Sequence, residues 1–310
     1  MSPRLFAPFL ALLAATAAGC AGDEENQEDV PVDDDIRADE AAALINGEVV
    51  SPAQFPATVF LVQRKCTAAK VAPGTFLTAA HCVFDAVMKS PALIKGDPLT
   101  ITRDPSKDPT GTTLTVTDVI MSPEWQAACT SRMCATSNVT ATLDAPDVAV
   151  VKTDQDLPDV RTAAIDEKPL ARGDRVIVLG YGCEAGVLAG RPKLDERKLK
   201  FSETAIISPF RAAHAGSPIT RDDVQTVASS YALTAGPGFV KARAGLCPGD
   251  SGGPVYRWRG SSLVVVGVNS TYTFKADDTV GMPVTNFHTR LDNQSKHFVA
   301  RWLRDQGAIR

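Results

Sequence analysis

The sequence predicts an all-β, turn-rich fold closed by one C-terminal helix, and three observations carry that prediction. Its 310 residues include 22 Gly and 21 Pro, the residues that punctuate chains of short strands. Short β-rich runs recur with turn signals between them, at 57–63, 113–120, 148–152, 175–180, 198–207 and 263–269, a spacing that suits a barrel or sandwich. Long stretches of helical period are few, but near the end Phe298, Val299, Trp302 and Leu303 fall at helical spacing. They predict an amphipathic helix over about 294–305 with its aromatics facing the core.

Ahead of the folded part the chain reads as an export segment. Arg4 is followed by an apolar run, Leu5 to Ala18, that is too short to span a bilayer, and then by small residues. Ala17-Ala18-Gly19-Cys20 resembles the lipobox of bacterial lipoproteins, except that Ala17 stands where that motif usually has Leu or a similar larger residue. By that resemblance residues 1–20 are a signal peptide with lipobox. Cys20 is then lipidated, and this anchor is the chain's single attachment to a membrane. That implies a cell-envelope lipoprotein of a bacterial outer membrane or periplasm, the alternative being ordinary signal-peptidase cleavage and secretion. Residues 21–43 carry ten acidic groups against one base, Arg37, with almost no apolar content. Such a segment cannot offset its ordering entropy, so it is expected to be a disordered acidic tether or propeptide. The net charge of −4 comes with no concentrated basic patch, which argues against a nucleic-acid partner.

Seven cysteines are present, and six remain if Cys20 takes a lipid: Cys66, Cys82, Cys129, Cys134, Cys183 and Cys247. An even count in an exported chain implies a disulfide framework whose pairing the count leaves open. Metal binding is the rival, but neither a Cys-x-x-Cys spacing nor a histidine cluster supports it. No metal and no cofactor are expected.

Three local patterns carry chemistry, in this order: Leu77-Thr78-Ala79-Ala80-His81-Cys82, Asp147-Val148-Ala149-Val150-Val151-Lys152, and Cys247-Pro248-Gly249-Asp250-Ser251-Gly252-Gly253-Pro254-Val255. A serine hydroxyl is a poor nucleophile until a base removes its proton, and neutral His is suited to that near neutral pH. The base works in one tautomer, which a carboxylate behind it fixes. Glycines around Ser251 let the backbone turn sharply, so that the N–H groups of Gly249 and Ser251 converge as an oxyanion hole. Each piece alone has a plainer reading, as a buried histidine, a strand-edge aspartate or a glycine turn. Their conjunction favours catalysis by His81, Asp147 and Ser251.

These motifs, TAAHC, DVAVV and GDSGGPV, resemble the three signatures of the chymotrypsin-like serine peptidases in that family's His…Asp…Ser order, which unrelated triad enzymes do not share. The resemblance covers about residues 44 to 305 of the chain. It implies a serine peptidase domain over 44–310, built of two antiparallel six-stranded barrels at roughly 44–165 and 166–292, with the closing helix after them. It implies a serine endopeptidase acting on protein or peptide substrates through an acyl-enzyme, expected to be a monomer. A non-catalytic relative would usually lose a triad residue or the flanking glycines, and none is lost here.

The same resemblance implies further roles. Leu44-Ile45-Asn46-Gly47 is similar to the start of mature members, whose freed amine pairs with the Asp before the nucleophile. Leu44 and Asp250 are therefore the expected activation pair, with Ala43 in place of the Arg or Lys that trypsin-like activators cut after. Cys66–Cys82 is the pair expected to staple the histidine loop. Cys129–Cys134 and Cys183–Cys247 are the remaining bridges. The specificity pocket falls on Gly245, Leu246, Ser270, Thr271 and Tyr272. Gly245 replaces the pocket-floor Asp of trypsin-like members, and Tyr272 replaces a Gly of larger-pocket ones. This implies a preference for small or medium apolar side chains and not Arg or Lys. Ser270 is expected to hydrogen-bond Asp147. Asp277 and Asp278, on a loop the sequence does not place, are read as solvated, and His214, His288 and His297 as surface or structural.

Overall fold

The computed structural model describes residues 44–131, 143–183, 196–275 and 278–309. The export segment with Cys20, the acidic stretch, Cys134 and Asp277 lie outside these residues. In chain order the strands are β1 (Glu48–Val49), β2 (Thr58–Leu61), β3 (Cys66–Ala72), β4 (Thr75–Thr78), β5 (Phe84–Asp85), β6 (Ser90–Pro91), β7 (Pro98–Thr102), β8 (Thr112–Met121), β9 (Ala149–Thr153), β10 (Arg175–Gly180), β11 (Lys200–Ala205), β12 (Tyr231–Ala235), β13 (Pro254–Arg259), β14 (Ser262–Phe274) and β15 (Pro283–Arg290). Helices are short: α1 (Ala80–Val83), α2 (Pro123–Ser131), α3 (Val224–Ser230) and α4 (Val299–Asp305).

The first barrel closes in the order β2-β3-β4-β9-β8-β7. Its strands read as apolar runs because both faces are covered. On β2, Val59 and Leu61 point into the barrel with Phe76, Leu99 and Ile101, while Phe60 points outward. The run into β9 repeats this: Ala149 and Val151 fill the barrel, while Val148 and Val150 face the second sheet. Side chains two apart on a strand share a face, so an unbroken apolar run marks a strand sandwiched on both sides. The shared face brings Phe60 to 5.6 Å from the Tyr181 ring and Thr58 Oγ1 to 3.2 Å from the Tyr256 hydroxyl. Burying a side chain such as Phe60 contributes about 1.5–3 kcal/mol.

The second sheet runs β1-β11-β10-β13-β14-β15-β12. Six of its strands, β11 to β12, curl toward closure, but the two end strands are joined through one bridge, Ile206–Thr234, and the bond from Ile207 N–H to Leu233 O (2.9 Å). The second half is thus a barrel with an unzipped seam. The chain start also belongs here: β1 pairs with β11, Glu48 opposite Phe201, and Ile45 exchanges two backbone hydrogen bonds with Gly245 (3.0 and 2.9 Å).

Two helices lie where the strand pattern gave no sign of them. In α2, Trp125 and Cys129 are four apart and both buried, and Ser122 precedes the helix with its hydroxyl bonded to Glu124. In α3, Val224 and Val227 are buried at a spacing of three. The closing helix spans Val299–Asp305 and buries Val299, Ala300 and Leu303. Phe298 does not face the core: it takes a left-handed conformation at the N-cap and is 65% exposed, because the turn that starts the helix swings its side chain outward. Trp302 is half-buried against the core.

Candidate active site

The imidazole of His81 sits in the one-turn α1, where β4 ends. The Cys66–Cys82 disulfide ties that turn back to β3 across a Cα–Cα distance of 6.2 Å. Asp147, 3% exposed, stands just before β9. Its Oδ1 accepts the His81 backbone N–H at 2.9 Å, and its Oδ2 lies 2.6 Å from His81 Nδ1. Ser270 Oγ donates to the same Oδ2 at 2.7 Å, and Thr289 Oγ1 donates to the Asp147 carbonyl at 2.9 Å. The Tyr231 hydroxyl holds the preceding turn through Ala145 O at 2.7 Å. A carboxylate only accepts, so Nδ1 is the donor and Nε2 keeps its lone pair.

Burial pushes the Asp147 carboxyl upward, but the His81 ring, with the hydrogen bonds from His81 and Ser270, outweighs it and holds the group below the usual carboxylate range. Asp147 therefore stays ionised behind the imidazole. Cys66, His81 and Cys82 offer atoms within 4.8 Å of one another, but both sulfurs are in the disulfide and have no thiolate to give an ion.

Ser251 lies on the turn between Cys247 and β13, and backbone contacts bring that turn to the first barrel. Thr67 N–H, on β3, donates to Ser251 O at 2.8 Å, and Thr67 Oγ1 donates to Gly249 O at 2.7 Å. Gly252, at φ +80°, packs so closely that a Cβ there would overlap Thr78 and crowd Ala79. Those two residues precede His81 by three and two positions. Within the turn the amides of Asp250, Gly252 and Gly253 are bonded to carbonyls of Cys247, Asn269 and Asp250. Among the described residues the N–H groups of Gly249 and Ser251 have no acceptor, and Gly249 reaches this arrangement at φ +114°, a conformation costly for any other residue.

Asp250 points the other way, fully buried. Its carboxylate accepts N–H groups of Gly182 at 2.7 Å and Cys247 at 2.9 Å. Burial pushes it up to about 6, against the pull of Lys200, the two amides and Arg197. Lys200 Nζ donates to Gly182 O at 3.2 Å, and Arg197 Nη1 to Tyr181 O at 2.6 Å. The Cys183–Cys247 disulfide joins this cradle to the turn that carries Ser251. Cys129 is disulfide-bonded as well, its expected partner Cys134 lying outside the described residues. Leu44 is completely buried.

Gly245 abuts Pro237 and Pro283. The Leu246 backbone N–H is held by Asn286 Oδ1 at 2.8 Å. Tyr272 packs on Phe274, ring centroids 6.4 Å apart, and on the apolar cluster that contains Ala244 and Leu246. Thr271 is half-buried beside it on β14. Asp278 caps its own loop, accepting amides of Val280, Gly281 and Met282.

Sequence reasoning missed Asn269 and His288. Asn269 Nδ2 donates to Leu179 O at 2.7 Å and Asp250 O at 3.2 Å, holding the Ser251 turn. His288, read as surface or structural, is completely buried and 2.9 Å from Asn269 Oδ1. Burial holds its pKa down at about 3. The sequence offered no local signal for either residue, because their partners lie on other strands.

A double barrel with an imidazole clamped to a buried carboxylate beside a Gly-Asp-Ser-Gly turn defines the chymotrypsin-like class of peptidase fold. The chain belongs to the trypsin family, whose profile matches residues 44–291. No curated protein matches it. It is accordingly a serine endopeptidase, a hydrolase of protein or peptide substrates. Disulfides persist in oxidising compartments, and with the family they mark an exported protein.

Proposed function

We propose that His81, Asp147 and Ser251 are the catalytic triad of this endopeptidase and that Gly249 and Ser251 donate the oxyanion hole. The observation that carries the reading is the double grip of Asp147 on His81, through its backbone amide and Nδ1, beside two turn amides with no acceptor among the described residues. In this reading His81 Nε2 takes the Ser251 Oγ proton as Oγ attacks the scissile carbonyl. The two amides receive the developing oxyanion, and the imidazolium returns its proton to the leaving amine. Water, activated by the same imidazole, then hydrolyses the acyl-enzyme and restores Ser251.

Leu44 and Asp250 form the activation pair in this proposal. A carboxyl whose folded pKa, about 6, lies above its unfolded value of 3.8 weakens the fold as pH rises through that window. An ammonium placed beside it by cleavage after Ala43 would remove that cost, since buried charges are tolerated as pairs. The buried Leu44 side chain and the Ile45–Gly245 pairing, which hold the chain start in the second half, support this reading.

A fluorophosphonate tests the triad and the activation pair together. The full chain, once cleaved after Ala43, is expected to be labelled at Ser251, and the intact chain markedly more slowly. Absence of labelling on the cleaved chain would sink the catalytic reading, whereas equal rates on both forms would sink only the activation pair.

For specificity we propose small or medium apolar side chains before the scissile bond. Gly245 brings no carboxylate to the floor, two prolines abut it, and the Asp278 carboxylate is occupied in its own loop. Profiling on a peptide library is expected to give cleavage after residues such as Ala and Val. Dominant cleavage after Arg or Lys would contradict this pocket.

A further inference from the structure

Four polar side chains form a continuous buried line through the second barrel. Thr234 lies on β12, Asn286 and His288 on β15, and Asn269 on β14, each at most 2% exposed. The line starts at the specificity floor, where Leu246 N–H donates to Asn286 Oδ1 at 2.8 Å and Asn286 Nδ2 donates to Ala244 O at 3.0 Å. Asn286 Nδ2 also reaches Thr234 Oγ1 at 3.2 Å. Thr234 Oγ1 lies 2.9 Å from His288 Nε2, and His288 Nδ1 lies 2.9 Å from Asn269 Oδ1. Asn269 Nδ2 ends the line on Asp250 O, one residue before Ser251.

The chemistry of the groups fixes one direction. Asn269 spends its amide nitrogen on carbonyls of Leu179 and Asp250, so its oxygen accepts and His288 Nδ1 must donate. Nε2 then accepts from the Thr234 hydroxyl, which in turn accepts from Asn286. Every member donates toward the nucleophile turn, an arrangement in which hydrogen bonds polarise one another. Strand pairing sets the geometry: Thr234 is opposite Asn286, and Asn269 opposite His288. The line lies in a buried interior, where a half-satisfied polar network is costly. A core built for stability alone would carry apolar residues at these positions.

We infer that Asn286, Thr234, His288 and Asn269 are positioning residues that couple the specificity floor at 244–246 to the nucleophile turn at 250–253. The inference rests on Ser251 being the nucleophile. Thr234 is the informative link, because it touches neither the floor nor the turn and has a close isostere lacking the hydroxyl. Thr234→Val is expected to slow fluorophosphonate labelling of Ser251 and to lower kcat, each about tenfold, with KM nearly unchanged, since small misplacements of a reacting group are expensive in rate. Thr234→Ser, which keeps the hydroxyl, is expected to label within about twofold of wild type. His288→Gln, which cannot place a group at both nitrogen positions, is expected to slow labelling like Thr234→Val, and it decides the matter if Thr234→Val does not fold. Folded Thr234→Val that labels at the wild-type rate, or Thr234→Ser as slow as Thr234→Val, overturns the coupling while leaving the triad standing. A wild-type protein that never labels overturns the nucleophile assignment and the coupling with it.

Discussion

Ser251→Ala is expected to lower kcat on a peptide substrate about a millionfold, with His81→Ala costing about as much and the double variant no more. The reason is that neither group acts alone. Without the hydroxyl the imidazole has no proton to take, and without the imidazole the hydroxyl is an unactivated alcohol. The activity left in each variant should be similar, because the amides of Gly249 and Ser251 and the substrate contacts survive both changes. Steady-state turnover by purified single and double variants, each confirmed folded by its thermal transition, reads this out. Losses that multiplied in the double variant would mean two independent contributions and would refute the triad.

Asp147→Asn is the second large effect, a fall in kcat of about ten-thousandfold with little change in substrate affinity. Asp147 accepts three hydrogen bonds, the His81 amide on Oδ1 and both His81 Nδ1–H and Ser270 on Oδ2. An asparagine oxygen can serve one side only. If it takes the backbone amide, its NH₂ faces Nδ1, which must then accept, and the proton moves to Nε2, where a base is needed. If it turns the other way, its NH₂ confronts the His81 N–H. The exchange also removes a pH dependence. A carboxyl held below its usual range contributes stability above the unfolded pKa and loses it as pH falls through the folded one. Asp147→Asn should lack that acid-side loss. Comparing kcat and acid unfolding of the two proteins checks both parts, and an Asn variant retaining more than about a tenth of wild-type turnover would exclude Asp147 from the mechanism.

What was legible in the sequence follows from what is local. His81, Asp147 and Ser251, the triad proposed above, each stand in a short local motif of the sequence. The strand runs were visible because inward and outward positions are both apolar where the barrels meet, as at Val148 to Val151. The Cys66–Cys82 and Cys183–Cys247 bridges came from the family resemblance, and both are present. The seam at Ile206–Thr234 was not legible, since strand content says nothing about whether two ends of a sheet overlap in register. Nor was the pairing of β1 with β11, which depends on residues some 150 positions apart in the chain. Helices α2 and α3 escaped because two or three buried residues per helix make a weak periodic signal. His288 showed no pattern because its partners, Thr234 and Asn269, lie on other strands.

The division of the reactive groups between the two halves has a consequence for the nascent molecule. His81 and Asp147 leave the ribosome well before Ser251, and the carboxylate's outer anchors, Ser270, Thr289 and Tyr231, come later still or nearly so. With the roles proposed for His81 and Ser251, a partly synthesised chain owns a base with no nucleophile and a carboxylate without its outer anchors. Under that proposal, hydrolysis requires the strands that follow Ser251 as well as the first barrel, because Ser270 and Thr289 anchor Asp147 from them.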